Sequence, residues 1–251
     1  MPMEVNNIPQ PSPVNSSPHM PVWMPSQFKG AAARARGGRG SELENRSLGE
    51  TIANAVSNGV GAALAIAGLV ILIVTAALHG GGLHVLVALA FAVPMLLAFL
   101  MSTLYHAIPA DTPKRVFRVL GHSFVLLYIA GAYTPYCVLL LADSGGLVLC
   151  GIEWAVAFAG VLIELLWTGR PRWLQIGICV AMGVAGLPLV PALAAVIAPA
   201  GMNLLIAAAV CFVAGLIFYV FRKVPYLWFV SHVLVLAGSV CLFLSVVLFV
   251  I

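Results

Sequence analysis

The sequence predicts an all-α membrane protein: a bundle of seven transmembrane helices, amino terminus cytoplasmic and carboxyl terminus outside. Three observations predict it. Only 8% of the residues are charged and 62% are hydrophobic, which leaves little polar surface to face water. Several apolar runs reach the roughly 20 residues that a helix needs to cross a bilayer. These runs are continuous rather than alternating at every second residue, which argues against a transmembrane barrel. The third observation is the distribution of Lys and Arg, which sets the orientation.

Residues 1–47 differ from the rest. Pro2, Pro9, Pro11, Pro13, Pro18, Pro21 and Pro25 alternate with Asn and Ser, and the stretch from Ala31 to Arg39 is small and basic. This composition favours a disordered cytoplasmic tail. It lacks the apolar run of a secretory signal peptide, so no cleavage is expected there.

Residues 48–251 hold the spans. The first runs from about Thr51 to Leu78, the second from Leu83 to Ile108 and the third from Val116 to Ala142. The fourth covers about Gly146 to Trp167. The fifth starts near Trp173 and is expected to break around Gly186, Pro188 and Pro191, because proline removes a helical donor and crowds the preceding turn. The sixth runs from Met202 to Phe221, and the seventh from Tyr226 to the end.

All 12 Lys and Arg residues fall on one side of this layout. Lys29, Arg34, Arg36, Arg39 and Arg46 are in the tail. Lys114, Arg115 and Arg118 follow span two, Arg170 and Arg172 follow span four, and Arg222 and Lys223 follow span six. Cytoplasmic loops carry the excess of basic residues, so the amino terminus is expected inside. The same placement explains the net charge of +4 without a nucleic-acid partner; the expected partners are membrane lipids. The five cysteines are scattered, with no CxxC pair or zinc-finger spacing.

Given this topology, most of the costly polar groups share one cytoplasmic layer. Ser102 and His106 are four residues apart near the end of span two, hence one turn apart on one helix face. Glu50, Asn54 and Asn58 step by four along span one. His122 stands near the start of span three and His232 in the first turns of span seven. Glu164 ends span four near Arg170 and Arg172, as an interfacial anion. Ionisable groups inside a membrane usually face protein or water, and bundles build sites from facing helices.

Several stretches resemble the hemolysin III family, the bacterial branch of the progestin and AdipoQ receptor superfamily. They are Glu50-Thr-Ile-Ala-Asn54-Ala-Val-Ser-Asn58-Gly-Val-Gly, Ser102-Thr-Leu-Tyr-His106-Ala, Gly121-His-Ser, Ile129-Ala-Gly-Ala-Tyr-Thr-Pro135 and His232-Val-Leu-Val-Leu-Ala-Gly-Ser239. The resemblance covers about Gly49 to Ile251. It implies seven helices with a cytoplasmic amino terminus, in a bacterial inner membrane. It also implies zinc as a cofactor, since relatives bind zinc through one histidine of span two and two of span seven. A serine and an aspartate lie beside that metal, and hydrolysis of an amide lipid has been proposed for such sites.

This chain departs from the pattern. Ser102, His106 and His232 match it, but Gly121 stands where the family has aspartate and Trp228 where it has the first histidine of span seven. Asn58 replaces a histidine that usually ends the span-one motif. A catalytic zinc keeps three protein ligands and an open position. Only His106 and His232 occupy inherited ligand positions, with His122 as the one further histidine in the layer. The expectation is therefore a non-enzymatic sensor or maintainer of membrane properties with a degraded metal site. The family name adds a cytolytic, hemolysin-type activity. The alternative is a zinc-dependent intramembrane lipid amide hydrolase with a rebuilt site, in which Ser102 positions the substrate. A proton- or ion-conducting role gains little, because the outer half offers few ionisable groups.

Overall fold

The computed structural model describes residues 47–108, 111–167, 171–222 and 224–251. The expected tail therefore lies, up to Arg46, outside the described residues, as do Arg170 and Lys223. Among the described residues the chain is helical and contains no strand. Seven segments are long and apolar enough to cross a membrane, matching the predicted count.

Helix α1 spans Leu48–His79. Its start is written in Ser47-Leu-Gly-Glu50, a serine three residues before a glutamate. The Ser47 hydroxyl accepts from the Glu50 N–H at 3.1 Å, satisfying one of the unpaired first-turn donors. Helix α2 spans Gly82–Ala107 and α3 spans Asp111–Pro135. Helix α4 spans Gly146–Leu166. Span five breaks where its prolines predict. Helix α5, Arg172–Ala185, gives way to a 3-10 turn at Leu187–Leu189 and the short α6 at Val190–Val196. Helices α7, Pro199–Val220, and α8, Leu227–Phe249, complete the bundle.

One proline shapes the contact between α2 and α3, and another the end of α3. Pro94 lies inside α2 and cannot donate to the Ala90 carbonyl. Gly131 of α3 packs at that point, and a Cβ there would fall on the Ala90 oxygen. Glycine is what permits the approach. Further along, Pro135 withholds a donor at the end of α3, and the chain widens into a π-helical turn over Tyr136–Leu140.

Helix α3 is the central element. Half of its membrane window, 50%, is buried inside the bundle, against 11% for each of spans five and six. On one side it packs with α1, α2, α7 and α8 around Leu72, Phe91, Tyr128 and Val246. On the other, Leu126 and Ala130 meet Ala157 of α4 and Met182 of α5. Helix α8 returns to pack on α1 as well as α7. In lipid the hydrophobic effect does not drive such contacts, so close packing and interhelical hydrogen bonds carry them. Tyr128 bonds Ser239 and Tyr136 bonds Ser245, both at 2.9 Å, linking α3 and its π turn to α8. These tyrosines are thus buried struts rather than anchors at the membrane surface.

Candidate functional site

The expected polar layer resolves into two separate clusters. The first joins α1, α2 and α8. Glu50, Asn54 and Asn58 form one buried face of α1, as their four-residue spacing predicts. Their amides fold back on the helix: Asn54 donates to the Glu50 carbonyl at 2.9 Å and Asn58 to the Asn54 carbonyl at 2.8 Å. With its NH2 group so engaged, Asn54 turns its side-chain oxygen to His232, 2.9 Å from Nδ1. That oxygen only accepts, so the His232 Nδ1–H is the donor in this contact.

His106 is 6% exposed and lies beside that ring. The His106 and His232 centroids are 5.3 Å apart and nearly perpendicular, at 77°. Trp228 closes a triangle with them, 4.8 Å from His106 and 5.9 Å from His232. Tyr105 packs on the outer edge of His106 at 4.9 Å. Two cations cap these rings. The Arg222 guanidinium lies 5.2 Å from the Trp228 ring, and the Lys114 ammonium 5.5 Å from Tyr105. Ser102 shares the helix with His106, yet its hydroxyl makes no hydrogen bond to a described residue. A Cβ built on Gly121 would lie 4.0 Å from the Ser102 nitrogen, so α3 presents this position to α2 with room for a side chain.

The second cluster joins α3, α4 and α5. His122 Nδ1 pairs with Glu164 at 3.0 Å, the carboxylate side chain being 5% exposed. Gln175 of α5 donates to the His122 carbonyl at 3.3 Å. Glu164 is therefore inside the bundle rather than turned to the headgroups. His122 is not brought to His106 and His232. Gln175 was not singled out from sequence, because an amide near a helix start gives no signal of its partner. A third polar group, Glu153 of α4, is 1% exposed, and its Oε2 has no hydrogen-bond partner among the described residues.

A family model described as haemolysin-III related matches residues 47–243. The chain belongs to the hemolysin III family. Among curated proteins it is similar to the hemolysin-3 homolog of Bacillus subtilis (strain 168), with 33% identity over 203 residues, 81% of this chain and 95% of that protein. It is likewise similar to hemolysin-3 of Bacillus cereus, with 33% identity over 201 residues, 80% of this chain and 92% of that one. With seven apolar helices, membership makes this an integral, multi-pass membrane protein.

The zinc implied by the family resemblance can be tested against the donor geometry. Two imidazoles on one tetrahedral zinc, each bonded at ~2.0 Å, have centroids about 5 Å apart. His106 and His232 match that spacing, and the Asn54 contact orients His232 as carbonyl partners orient metal-bound histidines. The third corner is the Trp228 ring, whose only polar atom is an N–H donor. Among the described residues no three His, Cys, Asp or Glu side chains are grouped to hold a metal ion. The described residues thus supply two corners of a zinc site and do not fit a complete one.

Proposed function

We propose that this hemolysin III-family protein is non-enzymatic and senses or maintains properties of a bacterial inner membrane, its ancestral metal site having lost a corner. The observation that carries this is Trp228, whose ring packs against both His106 and His232 at the position where the family resemblance implies a third imidazole. Gly121 supplies no carboxylate beside Ser102, and Glu164 is engaged with His122. Without a third ligand and a nearby base, nothing activates a water against an amide carbonyl. The one-sided Lys and Arg distribution supports a cytoplasmic amino terminus.

The name of the two relatives, hemolysin, extends the proposal to lysis of a bilayer. Leakage of dye from vesicles holding the purified protein, compared with vesicles holding an inert membrane protein, tests that extension. The test of the main proposal is turnover of a fluorescent ceramide by the reconstituted protein. Fatty-acid release should equal that of protein-free vesicles. Turnover that disappears in His106→Ala would replace the proposal with the hydrolase.

A further inference from the structure

A groove of about 440 Å³ opens between α1 and α2 at the end of the bundle that carries the basic residues. Leu48, Thr51, Ile52 and Ala55 line one wall, His106 to Ile108 the other, and Lys114 of α3 stands at its mouth. Leu48 is 76% exposed and Ile52 52%, so the aliphatic wall continues onto the outer, lipid-facing surface of α1. The volume lies within the roughly 300–1,000 Å³ of ligand pockets.

We infer that this groove binds one anionic glycerophospholipid, its phosphate on Lys114 and an acyl chain along Leu48, Ile52 and Ala55. Charge complementarity selects the occupant. Among the described lining residues Lys114 is the only Lys, Arg, Asp or Glu, and it makes no ion pair with a described residue. The ammonium lies over the Tyr105 ring, which steadies it without neutralising it. Glu50 belongs to the buried Asn54–Asn58 face and not to the groove lining. No carboxylate among the described lining residues therefore matches the ammonium of a zwitterionic headgroup. Basic residues at a membrane surface attract anionic lipids by about 1 kcal/mol each. The groove adds an apolar wall that holds one such lipid in place. The inference does not depend on whether the neighbouring histidines hold metal.

Native mass spectrometry of the detergent-solubilised full chain, with dioleoylphosphatidylglycerol or dioleoylphosphatidylcholine added, tests it. Wild-type protein should retain one phosphatidylglycerol at least fivefold better than phosphatidylcholine. Lys114→Gln should abolish that preference and Lys114→Arg restore it. Ala55→Phe, which fills the groove and leaves the charge, should lose the bound lipid, while Arg118→Gln should keep it. Equal retention of the two lipids, a preference that survives Lys114→Gln, or an equal loss in Arg118→Gln would overturn the inference. Displacement of the lipid by millimolar inorganic phosphate alone would also overturn it, since that would mark a simple anion site.

Discussion

His106 and His122 lie near the same end of one bundle, on neighbouring helices, with opposite surroundings. His106 is ringed by Tyr105, Trp228 and His232, all within 5.3 Å between centroids. His122 faces the Glu164 carboxylate at 3.0 Å and is steadied through its backbone by Gln175. Aromatic rings surround the first histidine, whereas a carboxylate and an amide engage the second. On the proposed reading, this difference is what the loss of a metal site leaves behind when the fold is kept. The Trp228 indole of α8 ties that helix to α2 through its contact with His106.

The largest expected effect comes from rebuilding the missing corner. Gly121→Asp with Trp228→His should raise bound zinc more than tenfold, towards one ion per chain, as measured by elemental analysis. The gain should vanish when His106→Ala is added and survive His122→Ala. A gain that instead depends on His122 would break the comparison between the clusters.

Next in size is the charged cluster. His122→Ala leaves the buried Glu164 without its imidazole partner and should cost about 2 kcal/mol. On this chain length that is a fall of several degrees in Tm, read by thermal unfolding in detergent. Replacing both residues, in His122→Leu with Glu164→Leu, should recover much of the loss, because no lone charge remains.

The smallest effect is expected at Asn54. Asn54→Ala should cost about 1 kcal/mol through the lost contact with His232. In the rebuilt variant the same change should weaken zinc binding by roughly 10–100-fold, the usual effect of removing a group that orients a ligand. An unchanged zinc affinity would mean that packing alone orients His232.

The fold was legible because a bilayer allows few solutions. Continuous apolar runs, basic residues in every second connection, and Pro188 and Pro191 in span five were enough for seven spans and the break between α5 and α6. The site was legible in depth and not in rotation. Topology places Gly121 and His122 at one level, but neighbours on a helix point about 100° apart. Gly121 faces Ser102 of α2, whereas His122 reaches Glu164 of α4. That angle separates one expected layer into two clusters. The periodic face of Glu50, Asn54 and Asn58 was readable, yet its contact with His232 joins residues 178 apart and has no local trace. The Tyr128–Ser239 and Tyr136–Ser245 pairs were hidden for the same reason.

The most direct test of the central claim is the zinc content of the unmodified protein, purified without chelator, beside His106→Ala. Two ligand corners and an indole predict far less than one zinc per chain, equal in both samples. Near-equimolar zinc in the wild type that disappears in His106→Ala would contradict the account and bring the hydrolase forward.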